Sequence, residues 1–131
     1  MNILEKIVID KKNEIFLKKK FISIEDLEDF KLFNLQTISL KDNINNSDYG
    51  IIAEFKRRSP SKSIINQNSN VQDVAMGYMN AGASGMSTLT NQKYFGGSLE
   101  DLLLAKSSCN LPILRKDFII DEYQIYEAKA Y

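Results

Sequence analysis

At 131 residues, with hydrophobic residues at 44% and charged residues at 26%, the chain has the size and composition of one globular domain, which excludes a disordered or collagen-like polymer. Seventeen basic residues against seventeen acidic ones give a formal net charge of +0, so no global field draws the chain to nucleic acid or to an anionic membrane, although a local basic cluster can still bind a phosphate. With no His and a single Cys, the chain has no Ser/His/Asp or Cys/His triad, no zinc finger and no intrachain disulfide, so any chemistry must use Lys, Asp, Glu, Ser, Thr, Tyr or Arg.

Ile3, Leu4, Ile7, Val8, Ile15 and Phe16 recur at spacings near three and four, which predicts an amphipathic helix over the first twenty residues with a lapse at Lys11 and Lys12. No apolar run approaches the roughly 20 residues of a membrane span. The stretch Met1–Lys6 also lacks the apolar core of a signal peptide, so a cytoplasmic location and no membrane partner are expected. Ser23 followed by Asp26 predicts a capped second helix through Leu27, Phe30 and Leu32. The polar run Lys41–Asp48 is turn-prone and reads as a linker, which divides the chain into a helical extension over 1–48 and a main body over 49–131.

In the main body, Ile51–Phe55 reads as a buried strand stopped by the basic loop Lys56-Arg57-Arg58-Ser59-Pro60-Ser61. Asn70 predicts a helix through Val71, Val74, Ala75, Tyr78 and Met79 that closes near Gly82, followed by a strand over Met86–Thr90. Ser98 with Asp101 opens a helix over Leu99–Leu104, Leu111–Arg115 is a third strand with Pro112 at its start, and Asp121 with Gln124 begins a last helix. The order β-α-β-α-β-α, with strand starts about 30 residues apart, is that of right-handed crossovers in a parallel sheet.

Side chains two apart on a strand share a face, so Ile52, Glu54 and Lys56 lie together, as do Leu114 and Lys116. In a parallel sheet the C-terminal strand ends share one mouth, where α/β proteins place their ligands, and Glu54, Lys56 and Lys116 would meet there. The alternative is that strand-end lysines are solvated punctuation, and spacing leaves both readings open. Glu54 adds a constraint: a carboxylate in an otherwise apolar strand needs a cationic partner, and Lys56 or Lys116 is the natural one. Phe95 and Phe118 are either core aromatics or site residues, with Gly96-Gly97 beside Phe95 pointing to a loop. Arg115 alternates away from Lys116 and is expected to support structure, and the lone Cys109 reads as a packing residue.

The segment Ile51-Ile52-Ala53-Glu54-Phe55-Lys56-Arg57-Arg58-Ser59-Pro60-Ser61-Lys62 resembles the first-strand signature of indole-3-glycerol phosphate synthase. Ala81-Gly82-Ala83, Ser87-Thr88-Leu89-Thr90, Tyr94-Phe95-Gly96-Gly97-Ser98 and the block from Leu114 to Gln124 follow in that family's order, and the N-terminal stretch resembles its extension before the barrel. The resemblance implies an α/β fold: the N-terminal part of a (β/α)₈ TIM barrel, about three parallel strands with helices, preceded by a helical extension. It also implies ring closure with decarboxylation and dehydration of 1-(2-carboxyphenylamino)-1-deoxyribulose 5-phosphate, a small phosphorylated substrate, with no metal or organic cofactor and no nucleic acid partner.

By the same resemblance, Lys116 is the general acid on the substrate carbonyl, Glu54 orients the lysines and the anilino end, and Lys56 meets the negatively charged substrate. Phe95 and Phe118 line an aromatic pocket, Leu89 is a weaker candidate, and Ser59, Pro60 and Ser61 shape a mobile loop. Two positions depart from the family: Ser63 stands where Gly is usual after Ser-Pro-Ser-Lys, and Asn91 where an acidic residue commonly follows Leu-Thr. A full barrel needs about 250 residues, so half a site is expected here, either as part of the enzyme or as a silent partial barrel needing a C-terminal complement or self-association. Phosphoribosylanthranilate isomerase is a weaker alternative, because its chemistry relies on a Cys and an Asp at strand ends. The inward residues Ile52, Leu89 and Leu114 are expected to be left uncovered.

Overall fold

The computed structural model describes all 131 residues, which form two compact units: Met1–Gln36 with Phe118–Tyr131, and Thr37–Asp117. The first unit contains α1 (Ile3–Phe21), α2 (Ile24–Glu28) and α7 (Tyr123–Ala130). The second contains α3 (Leu40–Asn45), β1 (Ile52–Phe55), α4 (Val71–Asn80), β2 (Gly85–Leu89), α5 (Gln92–Phe95), α6 (Leu99–Ser108) and β3 (Ile113–Lys116).

In the first unit, Asn2 and Glu5 close a capping box that starts α1, and Ser23 and Asp26 close another that starts α2. The buried stripe of α1 is Ile7, Lys11 and Ile15, one turn apart, so Lys11 fills the predicted lapse with its aliphatic stem. Its ammonium donates to Glu14 at 2.8 Å. Ile3, Leu4 and Phe16, expected on the apolar face, are exposed. Helix α2 ends at Glu28, short of Phe30 and Leu32, because the chain turns into successive tight turns there. Ile15, Leu27, Tyr123 and Ala130 form the core of this unit, and the buried Tyr123 hydroxyl donates to Ile22 O at 2.8 Å. Asp121 and Gln124 do start α7: Asp121 Oδ1 accepts from Tyr123 N, and Gln124 Oε1 accepts from the N–H groups of Ile120 and Asp121.

The second unit is a parallel sheet in the order β1-β2-β3, with α4 and α6 on one face. Rows across it pair Glu54 with Ser87 and Ser87 with Leu114, then Leu89 with Lys116. Phe55, Met86 and Ile113 project to the opposite face and pack with Val71 and Ala75 of α4 and Ala105 of α6. Helices α4 and α6 begin where predicted, on Asn70 and Ser98. Ser98 Oγ accepts from Asp101 N at 3.1 Å, and the Asp101 side chain pairs with Arg57.

Two further expectations change. The run read as a linker contains α3, whose N-cap Ser39 accepts from Asp42 N; a cap, rather than apolar periodicity, makes this short polar helix. Asn43 of α3 donates to Ser84 O, and a Cβ built on Gly85 would meet Leu40 at 2.4 Å, so α3 sits against the N-terminal end of β2. Leu89, expected to be uncovered, is 4% exposed at the end of the central strand, whereas Ile52 and Leu114 on the flanking strands stay open at 42% and 43%.

Candidate functional site

Parallel pairing in this register places the ends of β1 and β3 on either side of β2, and the side chains of Glu54 and Lys116 meet over Ser87. Lys116 Nζ donates to Glu54 Oε2 at 2.6 Å, and Lys56 Nζ lies 2.9 Å from Glu54 Oε1. Each carboxylate oxygen thus holds one ammonium. The Ser87 hydroxyl, on the same face, donates to Oε2 at 3.4 Å. Partial burial opposes ionisation of Glu54, but the hydrogen bonds from Lys116 and Lys56, with their charges, outweigh it and hold the carboxyl below the usual carboxylate range. One carboxylate between two ammonium groups leaves one surplus positive charge, suited to an anionic substrate.

Asn91 accepts from Tyr94 N and starts the single turn of α5, which Gly96 ends at φ +68°. Phe95 is therefore the last residue of a short helix rather than part of an open loop, and its half-buried ring lies 5.8 Å from Lys56 Nζ. Gly97 passes so close to β2 that a Cβ there would lie 1.9 Å from Leu89 O, which excludes any side chain. Asn91, noted as a departure from the usual acid, is a buried cap.

Two arginines from the loop after β1 hold this turn in place. Arg57 makes a two-pronged pair with the buried Asp101 carboxylate, Nη2 to Oδ1 at 2.9 Å, and donates to Gly96 O at 3.2 Å, while Arg58 donates to Gln92 O at 2.8 Å. The Asp101 hydrogen bond raises the Arg57 pKa further, against partial burial. These contacts connect residues 34 to 44 positions apart, and the sequence offered only a hint of them: the chain's three arginines all fall in the site blocks.

Ser59, Pro60 and Ser61 form a tight turn closed by Ser59 N to Lys62 O at 2.8 Å and Lys62 N to Ser59 O at 3.1 Å, with the Ser59 and Ser61 hydroxyls 3.2 Å apart. Ser63 is exposed beyond it. Leu89 is in register with Lys116 but buried. Phe118 belongs to the other compact unit, where it is half-buried and its carbonyl accepts from Gln124 Nε2 at 2.9 Å. Arg115 is turned from Lys116, as strand alternation requires, and donates to Thr90 Oγ1 at 3.0 Å. The cluster of Glu54, Lys56 and Lys116 thus forms one unit of geometry, with Phe95 joined through Lys56.

The model of the family described as indole-3-glycerol phosphate synthase matches residues 4–131. The chain belongs to this family. It is 48% identical over 128 residues to the indole-3-glycerol phosphate synthase of Bacteroides thetaiotaomicron, covering 98% of this chain and 49% of the relative. A Prochlorococcus marinus enzyme of the same name is 47% identical over 132 residues, with 98% and 44% covered, and one from Clostridium acetobutylicum is 41% identical over 128 residues, with 97% and 49% covered. The chain spans about half the length of the curated relatives it matches. Within that span, its α/β fold with a three-stranded parallel sheet is a partial (β/α)₈ barrel. No helix is long and apolar enough to cross a membrane.

Proposed function

We propose that this chain carries part of the active site of an indole-3-glycerol phosphate synthase, acting on 1-(2-carboxyphenylamino)-1-deoxyribulose 5-phosphate. The observation that supports this reading most is the single carboxylate of Glu54 shared between Lys56 and Lys116 at a strand-end mouth. In the proposal, Lys116 is the general acid, with its side chain 52% exposed and its ammonium held at 2.6 Å by Glu54. It protonates the ribulose carbonyl oxygen as the ring carbon bearing the carboxylate attacks the carbonyl carbon. The new C–C bond closes the five-membered ring, and the carboxylate leaves as carbon dioxide, returning its bonding pair to the ring. The resulting hydroxyl departs as water as the neighbouring CH₂ carbon loses a proton. Lys56 meets the negative charge of the substrate and assists closure and dehydration, while Glu54 orients both lysines and the anilino end.

Phe95 lines the pocket for the aromatic ring, Leu89 is a weaker candidate for the same lining, and Ser59, Pro60 and Ser61 shape the loop after β1. The scheme calls for no metal or organic cofactor. The phosphate is held by residues outside this chain.

The test is a fluorescence assay for indole-3-glycerol phosphate, run on this chain alone and with a supplied C-terminal complement. Turnover only with the complement supports the proposal, and turnover by the chain alone refutes the need for further strands. No turnover with a complement shown to bind refutes the enzyme reading in favour of a silent partial barrel. The outer edges of β1 and β3 and the exposed Ile52 and Leu114 favour self-association of the chain without its complement. A monodisperse monomer in light scattering would refute that part.

A further inference from the structure

Thr90 follows the last residue of β2 and is 6% exposed. Its backbone N–H donates to Lys116 O at 3.0 Å, its hydroxyl donates to Asp117 Oδ2 at 2.7 Å, and the same hydroxyl accepts from Arg115 Nε at 3.0 Å. One residue therefore grips three consecutive positions of the chain, with Lys116 in the middle. Strand alternation turns Arg115 and Asp117 away from the face that holds Lys116 and Glu54. Their side chains are 5% and 0% exposed, and Arg115 Nη2 lies 3.5 Å from Asp117 Oδ2. Lys116 itself has a long side chain with several free rotors, and packing alone does not aim it. A flexible ammonium is delivered to one spot only if the backbone that carries it is held still.

We propose that Thr90 is a positioning residue for Lys116: through its hydroxyl it locks Arg115 and Asp117, and with them the direction in which the Lys116 ammonium leaves the sheet. The inference rests on the reading of Lys116 as the acid. Glu54 holds the far end of the same side chain, so the lysine is fixed at its root by Thr90 and at its tip by the carboxylate. Loss of the Thr90 hydroxyl removes one hydrogen bond from each of the buried Arg115 and Asp117 side chains behind the acid, and the strand end loses that restraint.

The experiment uses the chain assembled with its C-terminal complement. Thr90→Val keeps the side-chain shape and the backbone N–H but removes the hydroxyl, whereas Thr90→Ser keeps the hydroxyl. Thr90→Val is expected to lower kcat fivefold or more with KM within twofold of the parent, and Thr90→Ser to stay within threefold of the parent kcat. A fall of less than fivefold in Thr90→Val, a KM that rises with the loss, or a Thr90→Ser as impaired as Thr90→Val would overturn the inference. If Thr90→Val does not fold by circular dichroism, Asp117→Asn, which weakens the same network, is judged by the same fivefold criterion. Lys116→Ala is run in parallel. If it retains most of the rate, the acid assignment itself fails; if it is inactive while Thr90→Val is not impaired, only the positioning role falls.

Discussion

Replacing Glu54 by Gln preserves the side-chain shape and removes the charge that two ammonium groups share. The structure bounds the cost. A charge-assisted hydrogen bond contributes about 1.5–3 kcal/mol when well shielded, but the Glu54 side chain is 29% exposed and Lys116 is 52% exposed. Solvent screening therefore brings each contact down to about 0.5 kcal/mol, and the pair to about 1 kcal/mol. The Glu54 pKa is lowered on folding, so its contribution is present above the unfolded value of about 4.3 and fades as pH falls through the lower folded value. At pH 7, Glu54→Gln should lower the urea midpoint by about 0.5 M, taking a slope of about 2 kcal/mol/M. The difference between the two proteins should shrink steadily below pH 4. Urea titrations followed by circular dichroism at several pH values measure this directly. Two midpoint curves that stay parallel down to pH 2.5 would refute the argument, because the stabilisation would then not depend on the charge of Glu54.

The remaining predictions concern the turn behind Phe95 and the proposed acid, Lys116. Gly97→Ala places a Cβ against the backbone of Leu89 and Thr90, atoms that cannot move without breaking Gly97 N to Asn91 O and Thr90 N to Lys116 O. A loss of about 3 kcal/mol is expected, read as a thermal midpoint about 10 °C lower; a shift under 3 °C would show that the turn is free to slide. In the protein assembled with its C-terminal complement, Lys116→Ala should abolish turnover while substrate still binds, measured by calorimetry beside the fluorescence assay, and retention of most of the rate would reassign the acid.

Much of the sheet unit was legible because its signals are local. Asn70 and Ser98 stand at helix starts as capping chemistry requires, and the run Ile52–Phe55 has the length and content of a strand. The ion pairing of Glu54 was legible for a physical reason: an acid in an apolar strand demands a cation, and period-two alternation restricted the choice to two lysines. What escaped was non-local. Ser87 joins the cluster only through a register between strands, and Asp101 meets Arg57 across 44 positions. Lys11 looked like a break in a helical stripe because a one-letter reading assigns Lys to solvent, whereas its stem is buried and its tip is paired. Helix α3 was missed because its apolar content is small and its cap, Ser39, lies before the polar run that drew attention.

The position of α3 makes the two ends of the sheet unequal. Its Leu40 and Asn43 meet Gly85 and Ser84 where β2 begins, and the Glu54 cluster lies where the strands finish. The helix acts as a stopper beneath a vessel whose rim carries the Glu54 cluster. In the proposed enzyme, sequence changes in the stopper should alter how much protein survives and leave the rate per surviving molecule unchanged, whereas changes at the rim should alter both. An engineer thus has a place to add stability, the bottom of β2, that is separated by the length of a strand from the Glu54 cluster at its top.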